Sequence, residues 1–224
     1  MVREGLDLVA YVTLSVFPIS YFLLSTYNTP LFSNTLAFSI MLATSLLALL
    51  AVKMYMPEIG EEGEISDFDE NLTLNSLVVA LMVGFGVLAL AGLIARLPTQ
   101  TLIYVPKPNV EVFSIGPISS VVVGNILYQF TLVAPAEECL KTAGIYALHS
   151  RLGEVQFGEA ISVALPVALW AVFHTILAGF TPLLVATAFA AGLVFYAGQR
   201  YTGSILTAIL AHAIYNGAVV ALSG

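Results

Sequence analysis

The sequence predicts an all-α protein, a polytopic transmembrane helical bundle of about seven spans. Of its 224 residues, 59% are hydrophobic and only 9% are charged, and the mean hydropathy is +0.96. A soluble domain usually carries about 25% charged residues, so this chain has too few charges to cover a surface that faces water. Apolar runs close to the ~20 residues that a helix needs to cross a bilayer recur along the chain. We therefore expect an integral, multi-pass membrane protein.

The apolar runs define the predicted helices in order. Their approximate bounds are 6–27, 32–56, 75–96, 114–149, 159–179, 182–199 and 203–222. The fourth run is longer than one crossing requires, so it predicts either one long tilted helix or a helix broken near Pro135. Pro166 predicts a kink in the fifth run, which a membrane helix tolerates when its neighbours satisfy the freed carbonyl.

Polar segments between the apolar runs divide the chain into two predicted parts. Residues 1–113 are expected to form N-terminal transmembrane helices with an acidic loop at 57–74, which holds seven of the fourteen acidic residues. Such a charge run is typical of a solvated linker. The proline-rich segment 97–113 predicts an interfacial loop. Residues 114–224 are expected to form a helical core that carries the functional residues.

The basic residues between the spans predict the orientation. With seven spans they divide four to two, with Arg3, Lys53, Arg151 and Arg200 on one side and Arg96 and Lys107 on the other. The positive-inside rule then predicts a cytoplasmic N-terminus and acidic loop. A glycosylation sequon at 71–73 flanks that loop and favours the opposite orientation.

Two adjacent glutamates, Glu137 and Glu138, lie inside the fourth apolar run. A charged group in the bilayer core costs several kcal/mol, so such residues usually face a bundle interior and take part in chemistry or transport. The two side chains point about 100° apart on a helix and so cannot share one role. Glu137 and Lys141 are four residues apart and can form an ion pair, and Glu138 and Thr142 form the next such pair. The cluster predicts either acid–base chemistry or a buried ion pair that serves helix packing.

Two further helices bring polar side chains to a similar depth. Trp170 and His174 share one face of the fifth run, and His212 and Asn216 share one face of the last. Each pair alone is compatible with hydrogen bonds between helices. Because three helices place costly polar groups near mid-membrane, we expect them to form one shared site. An imidazole and an amide one turn apart suit the polarisation of a carbonyl oxygen.

These motifs resemble those of the CPBP family, the CAAX-processing and bacteriocin-processing intramembrane proteases also called the Abi family. That family's motifs are EExxxR, FxxxH and HxxxN/D, and this chain has Glu137-Glu138, Trp170-x-x-x-His174 and His212-x-x-x-Asn216 in that order. The resemblance covers about residues 130–220. Thr142 replaces the family's arginine, and Lys141 precedes it. The resulting EExxK motif is similar to that of the PrsW-type proteases.

The resemblance implies an intramembrane endopeptidase that cleaves a membrane-associated peptide or protein. Five residues would be catalytic. Glu137, helped by His174, would activate a water molecule, His212 and Asn216 would stabilise the oxyanion, and Glu138 would orient or support the site. Lys141 and Trp170 would be supporting residues. No cofactor is favoured. If zinc were bound, its ligands would be Glu137, His174 and His212.

Two other classes of function remain open at the level of sequence. The altered first motif favours a non-catalytic CPBP-like protein, such as an immunity protein, a scaffold or a subunit of a larger membrane assembly. A proton-coupled transporter would use Glu137 and His174 as a relay, but the duplicated half that is usual in transporters is not found. The expected partners are membrane lipids and the substrate, and no nucleic acid is expected.

Overall fold

The computed structural model describes residues 30–55, 73–95, 111, 114–152, 154–176 and 181–223. These residues form helices apart from short turns and one isolated bridge between Ile115 and Ile118. The helices are α1 Pro30–Tyr55, α2 Leu74–Ala95, α3 Ser120–Tyr128, a π-helical turn Gln129–Val133, α4 Ala134–Leu152, α5 Gly158–Ile176, α6 Pro182–Thr202 and α7 Ile205–Ser223. The all-α class is confirmed. The predicted span 6–27, nearly all of the acidic loop and most of segment 97–113 lie outside the described residues.

Among the described residues, three helices are long and apolar enough to cross a membrane, by length and composition. They contain the segments Leu74–Ala91, Pro182–Thr202 and Ile205–Leu222. Shorter apolar segments, Thr35–Leu50 and Gly158–Val172, lie in α1 and α5. The chain is therefore an integral membrane protein, whereas the count of seven spans and the orientation stay predictions.

The long fourth run forms α3, the π-helical turn and α4 in direct succession. Pro135 has no N–H and cannot bond the carbonyl four residues earlier, so an α-helical turn cannot close there. The chain widens instead, and the N–H of Ala134 bonds the carbonyl of Gln129, five residues back. Of the two alternatives, one long helix or a break near Pro135, the structure has a continuous helical run with a π-helical turn just before Pro135. Pro166 lies inside α5, which continues past it.

Glycines let α7 approach its neighbours closely. A Cβ atom on Gly84 of α2 would lie 2.7 Å from the backbone oxygen of Ala211, and one on Gly217 of α7 would lie 3.3 Å from the Phe130 ring. Gly192 of α6 allows α6 to approach α5 in the same way, because a Cβ atom on it would lie 3.2 Å from the Trp170 ring. Small residues at these positions remove the steric barrier to backbone approach. As a result, polar side chains of α7 come within hydrogen-bonding reach of α4 and the π-helical turn.

Two apolar clusters enclose the polar residues of the bundle. One joins α2, α6 and α7 and includes Phe195. The other joins α1, α3, α4, α5 and α6 around Trp170. The rings of Phe195 and Trp170 both contact His212, so the polar residues lie where the two clusters meet.

Candidate active site

Glu137 is the centre of the candidate site, and its side chain is fully buried. Its Oε2 accepts a hydrogen bond of 2.6 Å from Nε1 of Trp170 on α5. Nδ1 of His174 and Nε2 of His212 each lie 3.7 Å from the same oxygen. Three helices, α4, α5 and α7, therefore deliver their polar groups to one carboxylate. The predicted convergence of Glu137, His174 and His212 is what the structure shows.

The spacing of four residues in α5 explains how Trp170 and His174 reach Glu137 together. Residues four apart lie on one helical face, one turn above the other. Their rings pack at 4.9 Å between centroids with 37° between the planes. The indole thus supplies a hydrogen bond to the glutamate and a wall beside the imidazole, roles that phenylalanine at this position could fill only in part.

Glu138 faces a different set of partners. Its Oε1 lies 2.6 Å from Nζ of Lys141 and 2.7 Å from Nδ1 of His212. His212 is therefore held between the two adjacent glutamates, with Nδ1 toward Glu138 and Nε2 toward Glu137. This bridging role of His212 was not predicted from the sequence.

The two side-chain pairs predicted within α4 are wrong. Lys141 pairs with Glu138, three residues away, instead of with Glu137. Residues three apart are also neighbours on a helix, and Glu137 points instead at α5 and α7. The Lys141 ammonium also lies over the Trp170 ring, 4.1 Å from its centroid. Thr142 bonds across to α6, where its hydroxyl donates to Oε1 of Gln199 at 3.1 Å, and does not pair with Glu138.

Asn216, one turn after His212, has a partner that the sequence analysis missed. Its Nδ2 donates a hydrogen bond of 2.9 Å to Oε1 of Gln129, and both side chains are fully buried. Gln129 lies at the start of the π-helical turn. One signal was available, because Gln129 is a polar residue deep inside the fourth apolar run. Gln129 was not connected with the site because it lies outside the glutamate motif along the chain.

Buried aromatic rings pack against the polar groups inside the bundle. The imidazole of His212 stacks on Phe195, with 5.0 Å between centroids and 13° between the planes. Trp170 meets the same imidazole edge-on at 5.6 Å. In this water-poor surrounding, electrostatic interactions are stronger than they are in water.

Glu137, His174 and His212 are also the three residues that would hold a zinc ion. Within the described residues, no group of three or more histidine, cysteine, aspartate or glutamate side chains is arranged as ligands of one metal ion. The bond from Nδ1 of His212 to Glu138 leaves Nε2 on the side of Glu137, as in many zinc-binding histidines. The metal-free mechanism therefore stays a prediction.

Comparison with known proteins gives one match. Residues 119–218 match the family model "Rce1-like: Type II CAAX prenyl endopeptidase Rce1-like". No curated protein and no solved structure gives a significant match to the chain. The matched segment contains every candidate site residue named above, and the resemblance to the CPBP proteases is confirmed, while the likeness to the PrsW motif is not. Residues 119–218 of this chain are therefore similar to the Rce1-like family of type II CAAX prenyl endopeptidases.

Proposed function

We propose that the protein is an intramembrane endopeptidase in which Glu137 activates a water molecule for attack on a peptide carbonyl. The observation that carries the proposal is the enclosure of the buried Glu137 carboxylate by His174 and His212, each 3.7 Å from Oε2. A general base must lie within hydrogen-bond reach of the water it deprotonates, directly or after the site tightens around substrate. Oε2 of Glu137 lies between two imidazoles, which would hold such a water molecule beside it.

His212 is suited to act on the carbonyl oxygen because Glu138 orients it. The short contact between Nδ1 and Glu138 directs Nε2 toward Glu137 and the centre of the site. When its Nδ1 proton is held by a carboxylate, an imidazole is fixed in tautomer and orientation. In the imidazolium form, which carries a second proton on Nε2, His212 would then donate to the oxyanion, with Asn216 as second donor one turn away.

Lys141 supplies the positive charge that the family arginine would bring. It lies 2.6 Å from Glu138 and over the Trp170 ring. Two buried glutamates and one lysine leave one surplus negative charge, and uncompensated charge is costly inside a membrane. A single proton shared by His174 and His212 would bring the set to neutrality and would also be available to the leaving amine. The replacement of the arginine by Thr142 is thus compatible with activity.

The substrate class follows from the family and from the location of the site. The family description names a CAAX prenyl endopeptidase, and a CAAX cysteine carries a lipid that inserts into a bilayer. We therefore propose a membrane-associated peptide, with a prenylated C-terminal CAAX sequence as the first candidate. The chemistry assigned to Glu137, His174 and His212 requires no cofactor.

The test uses purified protein in lipid vesicles with a farnesylated peptide that ends in a CAAX sequence. An unprenylated copy and a set of transmembrane peptides serve as further substrates, and products are identified by mass spectrometry. We expect cleavage by the wild type that persists with a zinc chelator. Glu137→Ala, His174→Ala and His212→Ala should each abolish it. The matched controls are Glu159→Ala, which removes an exposed glutamate of α5, and His149→Ala, which removes a histidine at the end of α4.

The alternative is a non-catalytic protein that keeps the family's fold, and Thr142 in place of the arginine favours it. That alternative predicts no cleavage of any peptide by correctly folded wild-type protein. Loss of cleavage with the chelator, restored by added zinc, would contradict the metal-free mechanism and favour a zinc enzyme instead.

A further inference from the structure

Gln129 is a buried polar residue without a role in the proposed mechanism. It opens the π-helical turn that joins α3 to α4. Its Oε1 accepts the hydrogen bond from Nδ2 of Asn216, at 2.9 Å. Burial of an amide in an apolar bundle is unfavourable unless it forms hydrogen bonds. A glutamine at this position therefore calls for a specific partner, and Asn216 is that partner.

The π-helical turn determines the direction in which Gln129 points. In an uninterrupted α-helix, residues 129 and 137 would lie ~80° apart around the axis, since each residue advances the helix by about 100°. A π-helical turn accommodates one extra residue, so the two positions come to within ~20° of each other. Gln129 and Glu137 thus face the same side, two turns apart. Because α7 runs antiparallel along that side, His212 lies beside the glutamates and Asn216 beside Gln129.

The contact with Gln129 controls the orientation of the Asn216 amide. Oδ1 of Asn216 is buried and has no hydrogen-bond partner among the described residues. Rotation about the last side-chain bond of asparagine is broad and nearly two-fold, so packing alone distinguishes poorly between the amide nitrogen and oxygen. The bond to Gln129 fixes the nitrogen end, and one further N–H on that nitrogen stays available to another acceptor.

We infer that Gln129 is a positioning residue for peptide hydrolysis, which holds Asn216 with its N–H donor ready for the oxyanion. The inference rests on the proposed function and adds to it a residue outside the three family motifs. Without the acceptor on Gln129, the amide rotates freely or turns its oxygen toward the developing negative charge. That change weakens binding of the transition state while leaving the binding of the ground state nearly unchanged.

Gln199 on α6 provides a matched control. It is also a buried glutamine, and its Oε1 likewise accepts a hydrogen bond from a side chain of another helix, Thr142, at 3.1 Å. Neither Gln199 nor Thr142 contacts Glu137, His174 or His212 in any hydrogen bond or ion pair described above. Replacement of either glutamine removes the same kind of bond, but only Gln129 is connected to the candidate site.

The experiment compares Gln129→Met and Gln199→Met with the wild type in steady-state cleavage of the peptide that the wild type cleaves best. Gln129→Met is expected to lower kcat about tenfold to a hundredfold with KM changed less than about twofold, as for the loss of correct orientation at a reacting centre. Gln199→Met is expected to keep the wild-type kcat. Thermal unfolding is measured for both proteins. If Gln129→Met does not fold, Gln129→Asn takes its place, because its shorter amide cannot reach Asn216 and the same loss of kcat is expected.

The outcomes separate this inference from the proposed function. Wild-type cleavage with an unchanged kcat in the Gln129 variants overturns the inference alone. Equal losses of kcat in the Gln129 and Gln199 variants also overturn it, since that result indicates a general packing effect. A change confined to KM overturns it as well. Absence of wild-type cleavage overturns the proposed function and the inference together.

Discussion

The two adjacent glutamates of α4 occupy very different surroundings. Glu137 accepts from the neutral indole of Trp170 and lies 3.7 Å from two imidazoles. Glu138 is paired with the fixed charge of Lys141 and with His212, at 2.6 and 2.7 Å. A carboxylate paired with a lysine forms a buried ion pair, and we expect it to serve as structural support. A carboxylate that faces histidines and an indole can exchange protons. The comparison supports the proposal that Glu137 takes part in the chemistry and that Glu138 supports the site.

The largest effect is expected at Glu137. Glu137→Gln keeps the size of the side chain and a hydrogen-bond acceptor for Trp170, but a neutral amide cannot act as a general base. We expect cleavage to fall by ~10³-fold or more, with thermal unfolding in detergent close to that of the wild type. Steady-state cleavage and calorimetry measure the two quantities. Activity within tenfold of the wild type would remove Glu137 from the catalytic role.

Glu138→Gln is expected to affect stability more than Glu137→Gln does. It leaves the buried Lys141 ammonium without its counter-charge, and loss of one partner of a buried pair costs about 3–5 kcal/mol. Thermal unfolding should detect the loss. The double variant Glu138→Gln with Lys141→Met removes both charges and is expected to recover much of the stability. A double variant no more stable than Glu138→Gln would contradict the ion pair.

Trp170→Phe is expected to lower kcat to an intermediate extent and to cost some stability. It keeps an aromatic ring beside His174 and Lys141 but removes the Nε1 donor to Glu137. A hydrogen bond to a charged group contributes about 1.5–3 kcal/mol, so we expect kcat to change by roughly tenfold or more. The family motif contains phenylalanine at this position, so the variant should remain folded. An unchanged kcat would show that the indole serves packing alone.

The smallest effect is expected at Thr142. Thr142→Val keeps the shape of the side chain and removes the hydroxyl that donates to Gln199. The expected loss of stability is about 0.5–1.5 kcal/mol, with kcat within about twofold of the wild type. Thr142→Arg restores the family residue and tests whether an arginine at this position increases activity. A gain in activity from that change would show that Lys141 only partly replaces the arginine.

Sequence reasoning was most successful where a helix carries its own signal. Within the described residues, the predicted apolar runs agree with the helices from α1 onward to within a few residues, apart from the start of the fourth run. Glu137, His174 and His212 were predicted to meet because the cost of polar groups in a bilayer makes scattered placement improbable. Sequence reasoning was less successful in predicting which side chains pair. Lys141 lies three residues from Glu138 and four from Glu137, and helical spacing allows both pairs.

By itself the sequence determined the helical class, the membrane location and the set of polar side chains that must be buried, because hydropathy and helical period are local properties of the chain. The tertiary structure decided which of these side chains bond to one another. The π-helical turn rotates Gln129 onto the face of Glu137, and glycines of α2 and α7 allow α7 to approach. Both effects depend on the packing of helices that are distant in sequence. That packing cannot be predicted from the residues that neighbour a position along the chain.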